Sequence, residues 1–293
     1  MKTLSLRANA KINLSLDITG RRADGYHLMN MVMQSVNLYD RIELTVGADN
    51  EGVLVETGLR FLPGDERNTA YKAALRLSEA KGFDLSGIRI GIKKNIPTRA
   101  GMGGGSADAA AVLVGLNRLL GLGMSLQELA VVGEKVGADV PFCVIGGTAR
   151  VKGIGEEITP MTSLRKGRFV ILMPRVGNST PELFSLIDGA PEGALIHPDV
   201  DACQRAVEQQ DMASLAASFG NLFQQVGDTA ETERLKSLLI QKGALGACLT
   251  GSGAAVFGLF PDFRAANRCR DALRSEVFRA YVAAPCEKGV EIL

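Results

Sequence analysis

At 293 residues the chain is long for one compact core, so two domains are the better expectation. Hydrophobic residues make up 46%, charged residues 22%, and the net charge is +1, an ordinary soluble globular profile. That balance argues against a nucleic-acid coat or a membrane-surface protein, because neutralising phosphates takes a clustered Lys/Arg surplus.

The opening "MKTLSLRANAKINLSLD" alternates apolar and polar residues and so lacks the continuous apolar core of a signal peptide. No run reaches the length of a membrane span, and the chain reads as mature and cytoplasmic. From Leu4 to Gly58 the pattern is mostly period two, in "KINLSLDI", "VMQSVNLYD" and "RIELTVG", which predicts at least three strands, antiparallel neighbours. A helix follows over "NTAYKAALRLSEAKG", with Asn68 as its N-cap and Gly82 as its stop. Next come a strand, "IRIGIKKNI", a glycine loop, a helix from about Ser106 to Leu120, and a second helix, "LQELAVVGEKVG".

The stretch "TPMTSLRKG" reads as a linker, after which the chain restarts with a buried-strand run, "RFVILMP". Helices are predicted through "CQRAVEQQDMASLAASFGNLFQQV" and "ETERLKSLLIQKG", then a turn at "TGSG", a strand "AAVFGLF", a helix "FRAANRCRDALRS" and a last strand "FRAYVAA". Strands separated by helical pairs suggest an α+β sandwich rather than a barrel. Five cysteines, scattered and never in a CxxC pair, fit neither a disulfide framework nor a zinc site.

The loop "IPTRAGMGGGSADAAA" carries the chemistry. Gly101, Gly103, Gly104 and Gly105 precede Ser106 and an alanine-rich helix, and glycines let a phosphate approach the unpaired N–H groups of a helix start. A Rossmann fingerprint wants glycine where Ser106 stands, a Walker A loop wants Gly-Lys-Ser/Thr, and the protein-kinase signatures are absent.

A fourth spelling fits. "PTRAGMGGGSADAA" resembles the Pro-x3-Gly-Leu-Gly-(Gly)-Gly-Ser-Ser loop of the GHMP kinases, the superfamily of galactokinase, homoserine, mevalonate and phosphomevalonate kinases. Residues 8–40, "ANAKINLSLDITGRRADGYHLMNMVMQSVNLYD", look like the opening signature of one branch, which phosphorylates a cytidine diphosphate sugar alcohol in the non-mevalonate (MEP) route to isoprenoids. "GADVPFC" is similar to that branch's catalytic segment, and "ACLTGSGAAVFGLF" resembles the superfamily's third motif.

The resemblance implies an α+β, two-domain GHMP kinase fold. A ribosomal-protein-S5-domain-2-like ATP-binding and catalytic domain would span 1–163, and a ferredoxin-like α/β sandwich contributing to the substrate site would span 164–293. It implies ATP and Mg²⁺, with ATP held by Pro97, Thr98, Arg99, Ala100, Gly101, Met102, Gly103, Gly104, Gly105, Ser106 and Ala107, and Ser106 meeting the metal through the bound nucleotide. Asn68 and Lys94 match positions near adenine and ribose. Asp139 would be the general base and Lys11 its cationic partner.

On the acceptor side, Tyr26 and His27 would meet the cytosine, Phe184 would close on it from the other domain, and Asn13 and Thr180 would bind the substrate. Thr250, Gly251, Ser252 and Gly253 would flank its diphosphate. Two departures stand out: Met102 replaces the usual leucine, and Ala107 stands where many relatives carry a second serine. The acceptor would be cytidine diphosphate methylerythritol, with no nucleic-acid or membrane partner and a monomeric or weakly dimeric state. The alternatives are another GHMP small-molecule kinase, of homoserine or mevalonate type, or a non-catalytic nucleotide- or RNA-binding protein.

Overall fold

The computed structural model describes residues 1–175 and 179–293. Its first sheet is built on two long antiparallel strands, β1 (Lys2–Arg21) and β2 (His27–Val46). The short β3 (Val53–Glu56) pairs in parallel with β4 (Ile88–Lys93), and β4 pairs antiparallel with the far half of β2. β5 (Thr148–Gly153) takes the near half of β2 and pairs with β6 (Glu157–Met161). Three strands were expected up to Gly58; the second and third are one continuous strand, β2. The register shift at Asn9/Ala10 leaves Asn37 and Leu38 of β2 unpaired with β1 and interrupts the alternation that would have shown its length.

Four helices go with this sheet: α1 (Thr69–Lys81), α2 (Gly104–Leu120), α3 (Leu126–Glu134) and α4 (Val140–Ile145). Asn68 caps α1 by accepting from the Ala70 N–H, and Gly82 ends it in a left-handed conformation, as the sequence predicts. Helix α2 lies against β1 and β2, and its Ala107, Ala109, Ala110 and Ala111 are fully buried, so small side chains let it sit close to the sheet.

The second sheet is formed by β7 (Arg168–Met173), β9 (Gly246–Leu249), β10 (Val256–Phe260) and β11 (Arg279–Ala283), in the antiparallel order β11-β7-β10-β9. Its helices are α5 (Thr180–Asp188), α6 (Val200–Gln209), α7 (Met212–Ala217), α8 (Thr229–Gln241) and α9 (Phe263–Leu273). The helical run expected through residue 226 breaks at β8 (Gly220–Asn221), which pairs in parallel with β1. A last strand, β12 (Val290–Ile292), also joins β1. The first sheet therefore draws strands from both sides of residue 164. The expected linker is partly strand too, since β6 takes in Thr159, Pro160 and Met161.

All five cysteines are free thiols, four of them buried. Burial pushes Cys203 and Cys248 up to about 12. Among the described residues no helix is long and apolar enough to cross a membrane.

Candidate active site

A cleft of about 1090 Å³ opens along the glycine loop, walled on one side by Asn68 and Thr69 and on the other by Thr180, Ser252 and Gly253. Helix α2 points its N-terminus into this cleft. Gly103 precedes it at φ 68° with no side-chain cap, and the first intrahelical bond runs from the Ala107 N–H to the Gly103 carbonyl, 2.8 Å. The N–H groups of the first turn thus face the cleft without helical partners and form an anion cradle.

The glycines also serve packing. A Cβ on Gly101 would stand 2.0 Å from the Thr250 carbonyl oxygen, and one on Gly103 would stand 3.0 Å from Lys11 Cγ. Both positions have positive φ, which glycine adopts without strain. Residues 97–106 line the cleft, Ala100 and Met102 with their side chains nearly sealed, and Ala107 is fully buried outside the lining. These three can offer a ligand only their backbone, and the Met102 carbonyl is already taken by the Lys11 N–H at 3.0 Å.

Lys11, on β1, is 4% exposed, and its Nζ stands 3.4 Å from Oδ2 of Asp139, the residue that begins α4. The expected pair therefore meets across two elements, immediately beside Gly103. Asp139 keeps a third of its side chain open, while Lys11 is sealed and donates a second bond, 2.7 Å, to Asn13 Oδ1. Asn13 was expected to touch substrate. It is fully buried, and its Oδ1 also accepts the Gly251 N–H at 3.0 Å, so it holds the lysine and the Thr250–Gly253 turn together. Thr250 is likewise fully buried, with Oγ1 3.1 Å from the Asn13 N–H, which it accepts.

Lys94 and Asn68 both line the cleft, and both are also held by groups of the protein. Lys94 Nζ donates to Asp40 and, at 2.7 Å, to Asp108, and all three side chains are nearly sealed from solvent. Asp40 further accepts the Ile96 N–H at 2.8 Å, so the cluster ties both ends of the glycine loop to β2 and α2. Burial first, and then the Asp40 carboxylate, push Asp108 well above the ordinary carboxylate range, with Lys94 offsetting part of the rise. Burial works against the Lys94 ammonium, but the two carboxylates outweigh it and raise its value. Its charge faces these two carboxylates at the edge of the cleft. The Asn68 amide is spent on the α1 cap and on the Pro63 carbonyl, 2.8 Å.

Among the residues expected to meet the acceptor, His27 stacks on Phe184 with ring centres 4.2 Å apart and planes inclined by 15°. Its Nε2 lies 2.7 Å from Asp188, which also pairs with Arg21 at 3.0 Å. Tyr26 stands beside them, 60% exposed. Thr180 at the start of α5 reaches Ser252 at 2.6 Å, joining the two expected substrate-side segments. Asp40, Asp108 and Asp188 were not legible in the sequence, because nothing local marks a carboxylate whose partner is 14, 54 or 161 residues away. Among the described residues no group of three or more His, Cys, Asp or Glu is arranged to hold a metal ion.

Residues 68–147 match the GHMP kinases N terminal domain family, and residues 161–280 match the GHMP kinases C terminal family. The class that the fold and the cradle define is therefore a GHMP-fold phosphotransferase. A solved structure of 4-(cytidine 5'-diphospho)-2C-methyl-D-erythritol kinase superposes with a TM-score of 0.77 at 31% identity, covering 96% of this chain and 99% of that one. Homoserine kinase from Cytophaga hutchinsonii superposes as well, TM-score 0.78 over 100% of this chain and 98% of that one, but at 21% identity it shares the fold alone.

In sequence, the 4-diphosphocytidyl-2-C-methyl-D-erythritol kinase of Geobacillus kaustophilus is 43% identical over 92% of this chain and 93% of its own length. That of Lachnospira eligens is 39% identical over 94% and 95%. The chain belongs to the 4-diphosphocytidyl-2-C-methyl-D-erythritol kinase family.

Proposed function

We propose that the chain transfers the γ-phosphoryl group of ATP to the 2-hydroxyl of 4-diphosphocytidyl-2-C-methyl-D-erythritol, directly and in line, with Asp139 as base and Lys11 as its partner. One observation carries the reading: Gly103, the residue that opens the anion cradle, lies between that cradle and the Lys11–Asp139 pair. A Cβ placed on it would be 3.0 Å from Lys11 Cγ and 3.7 Å from Asp139 Oδ2. Phosphoryl transfer asks little more of a protein than held phosphates, met charge and an aimed hydroxyl.

In this reading the first-turn N–H groups of α2 hold phosphate oxygens. The half-open Asp139 carboxylate receives the hydroxyl proton, and Lys11 offsets the negative charge that develops. Ser106, in the same turn, offers the oxygen donor that Mg²⁺ takes together with phosphate oxygens, and would hold it. Bound there, Mg²⁺ would neutralise phosphate charge. The cytosine would lie against Tyr26, with His27 fixed by Asp188 and Phe184 so that its remaining ring nitrogen addresses the base edge. Thr180 and the Thr250–Gly253 turn would flank the diphosphate.

The test is ADP release by wild type and Asp139→Asn, with the cytidylyl acceptor present and absent. Acceptor-dependent release that the variant loses, with ATP still bound, supports the reaction and the base together. Release indifferent to the acceptor would leave the cleft a nucleotide site with another partner.

A further inference from the structure

Asn221 is 1% exposed and lies on β8, the two-residue strand that runs beside β1 with Asn221 opposite Leu16. Its amide is fully used. Nδ2 donates to the carbonyls of Leu249, at 2.8 Å, and Gly251, at 2.9 Å, while Oδ1 accepts the Phe223 N–H at 3.0 Å. The two carbonyls belong to the end of β9 and to the turn that follows it toward β10.

The same turn is gripped from its opposite side. The Gly251 N–H donates to Asn13 Oδ1 at 3.0 Å, and Asn13 Oδ1 also receives Lys11 Nζ at 2.7 Å. Against its outer edge the Thr250 carbonyl presses on Gly101, and the Ala255 N–H donates to the Ala100 carbonyl at 3.3 Å. Gly251 is thus held at its carbonyl by one buried asparagine and at its N–H by another, and the second of these also accepts from Lys11.

We infer that Asn221 is a positioning residue of the transfer site: by fixing the Leu249 and Gly251 carbonyls it sets the turn against Asn13 and Gly101, and through Asn13 it sets Lys11 against Asp139. The inference rests on the assignment of Lys11 and Asp139 proposed above. Asparagine suits the task for a chemical reason. Two carbonyls 2 residues apart need a group with two N–H donors, and a backbone N–H needs an acceptor on the same side chain; the primary amide supplies both. Such a buried network is rigid when every member is satisfied and costly when one is removed.

Removing Asn221 leaves two buried carbonyls seeking partners, and the turn shifts to find them. A small displacement of a catalytic group costs rate more than affinity. Asn221→Ala is therefore expected to lower kcat about 10- to 100-fold, with both KM values changed by no more than about threefold. Leu239→Ala, in the buried core of the second half and distant in role from the turn, serves as the control for destabilisation alone and should keep kcat.

A cycle with Asn13→Ala tests the route. If Asn221 acts through Asn13, the double variant is about as slow as the slower single variant. Independent, multiplying losses would overturn the route, and an unchanged kcat in folded Asn221→Ala would overturn the inference itself. Asn221→Asp leaves no cavity and covers the case in which alanine does not fold. Protonated, its carboxyl keeps one donor, so its rate should lie between wild type and Asn221→Ala and fall as rising pH ionises it against the two carbonyls; a flat profile matching wild type would count against the inference.

Amide exchange at Gly251 makes the answer independent of the proposed reaction. It should accelerate in Asn221→Ala and Asn221→Asp but not in Leu239→Ala, whether or not the cytidylyl acceptor is the substrate. Protection equal to wild type in the Asn221 variants would overturn the inference. Wild type without acceptor-dependent turnover would count against the proposed function alone.

Discussion

Two groups of lysine and aspartate flank the same glycine loop, and they are built to opposite specifications. Lys11 and Asp139 stand 3.4 Å apart behind Gly103, with a third of the aspartate open to the cleft. Lys94, Asp40 and Asp108 stand behind Gly104, hydrogen-bonded to one another and nearly sealed, the Asp40 side chain at 0% exposure. The difference teaches what a lysine–aspartate pair is for. A sealed cluster turns its charges on one another and fixes the ends of the loop; a loose, half-open pair still has capacity for a reactant.

That contrast breaks most visibly at Asp139. Asp139→Asn should lower kcat by about 10²- to 10⁴-fold, the usual range for a general base, with ATP affinity and melting temperature close to wild type. A coupled ADP assay and a thermal melt measure both. A variant that melts early but turns over normally would place Asp139 with the structural group.

Lys94→Met should do the reverse. It leaves two buried carboxylates without their cation, and breaking a buried pair costs about 3–5 kcal/mol. Urea unfolding would read this directly. If stability survived and only the KM for ATP rose, Lys94 would be a nucleotide contact after all.

Farther from the loop, Tyr26→Ala removes the open ring expected to carry the base. Stacking on an aromatic side chain contributes about 1–3 kcal/mol per base, so the KM for the cytidylyl acceptor should rise between about 5- and 150-fold while that for ATP holds. Equal loss on both substrates would point to misfolding of the β1–β2 hairpin.

The smallest effect is a slope. The folded protein binds the Asp108 proton more tightly than the unfolded chain does, so this group favours the fold in acid, and the contribution is lost as pH rises through its raised folded value. Asp108→Asn never ionises. Across that window the difference in urea midpoint between variant and wild type should move in the variant's favour as pH rises; a constant difference would mean that Asp108 titrates alike in both states.

What the sequence made legible follows the range of the interactions involved. Helix α1 was readable from end to end because its signals, Asn68 and Gly82, lie in the helix's own neighbourhood. The glycine loop and its helix were readable for the same reason, and resemblance supplied Lys11 and Asp139, which structure then brought together. Lys94 lines the cleft as the resemblance led one to expect, but its two partners, Asp40 and Asp108, were not legible, because they come from β2 and α2 and only the fold brings them to it. Asn13 shares a strand face with Lys11, as period two predicts, but period cannot say whether that face meets a ligand or the turn before β10. Asn221 carried no signal at all: it sits in a stretch of helical composition, and its partners are 28 and 30 residues downstream.

The pairing of β1 with β12 has a consequence for the order in which the protein is made. β1 is synthesised first among the described strands and β12 last, with residues 22–289 between them. At ~5–20 residues per second, roughly a quarter of a minute to a minute passes before that edge of β1 can be covered. Through that interval the nascent chain presents an open strand edge, the kind of surface on which chains join one another. Residues 290–292 therefore act as a late seal, and slowing translation near the end of the message would lengthen the time for which the polypeptide needs a chaperone.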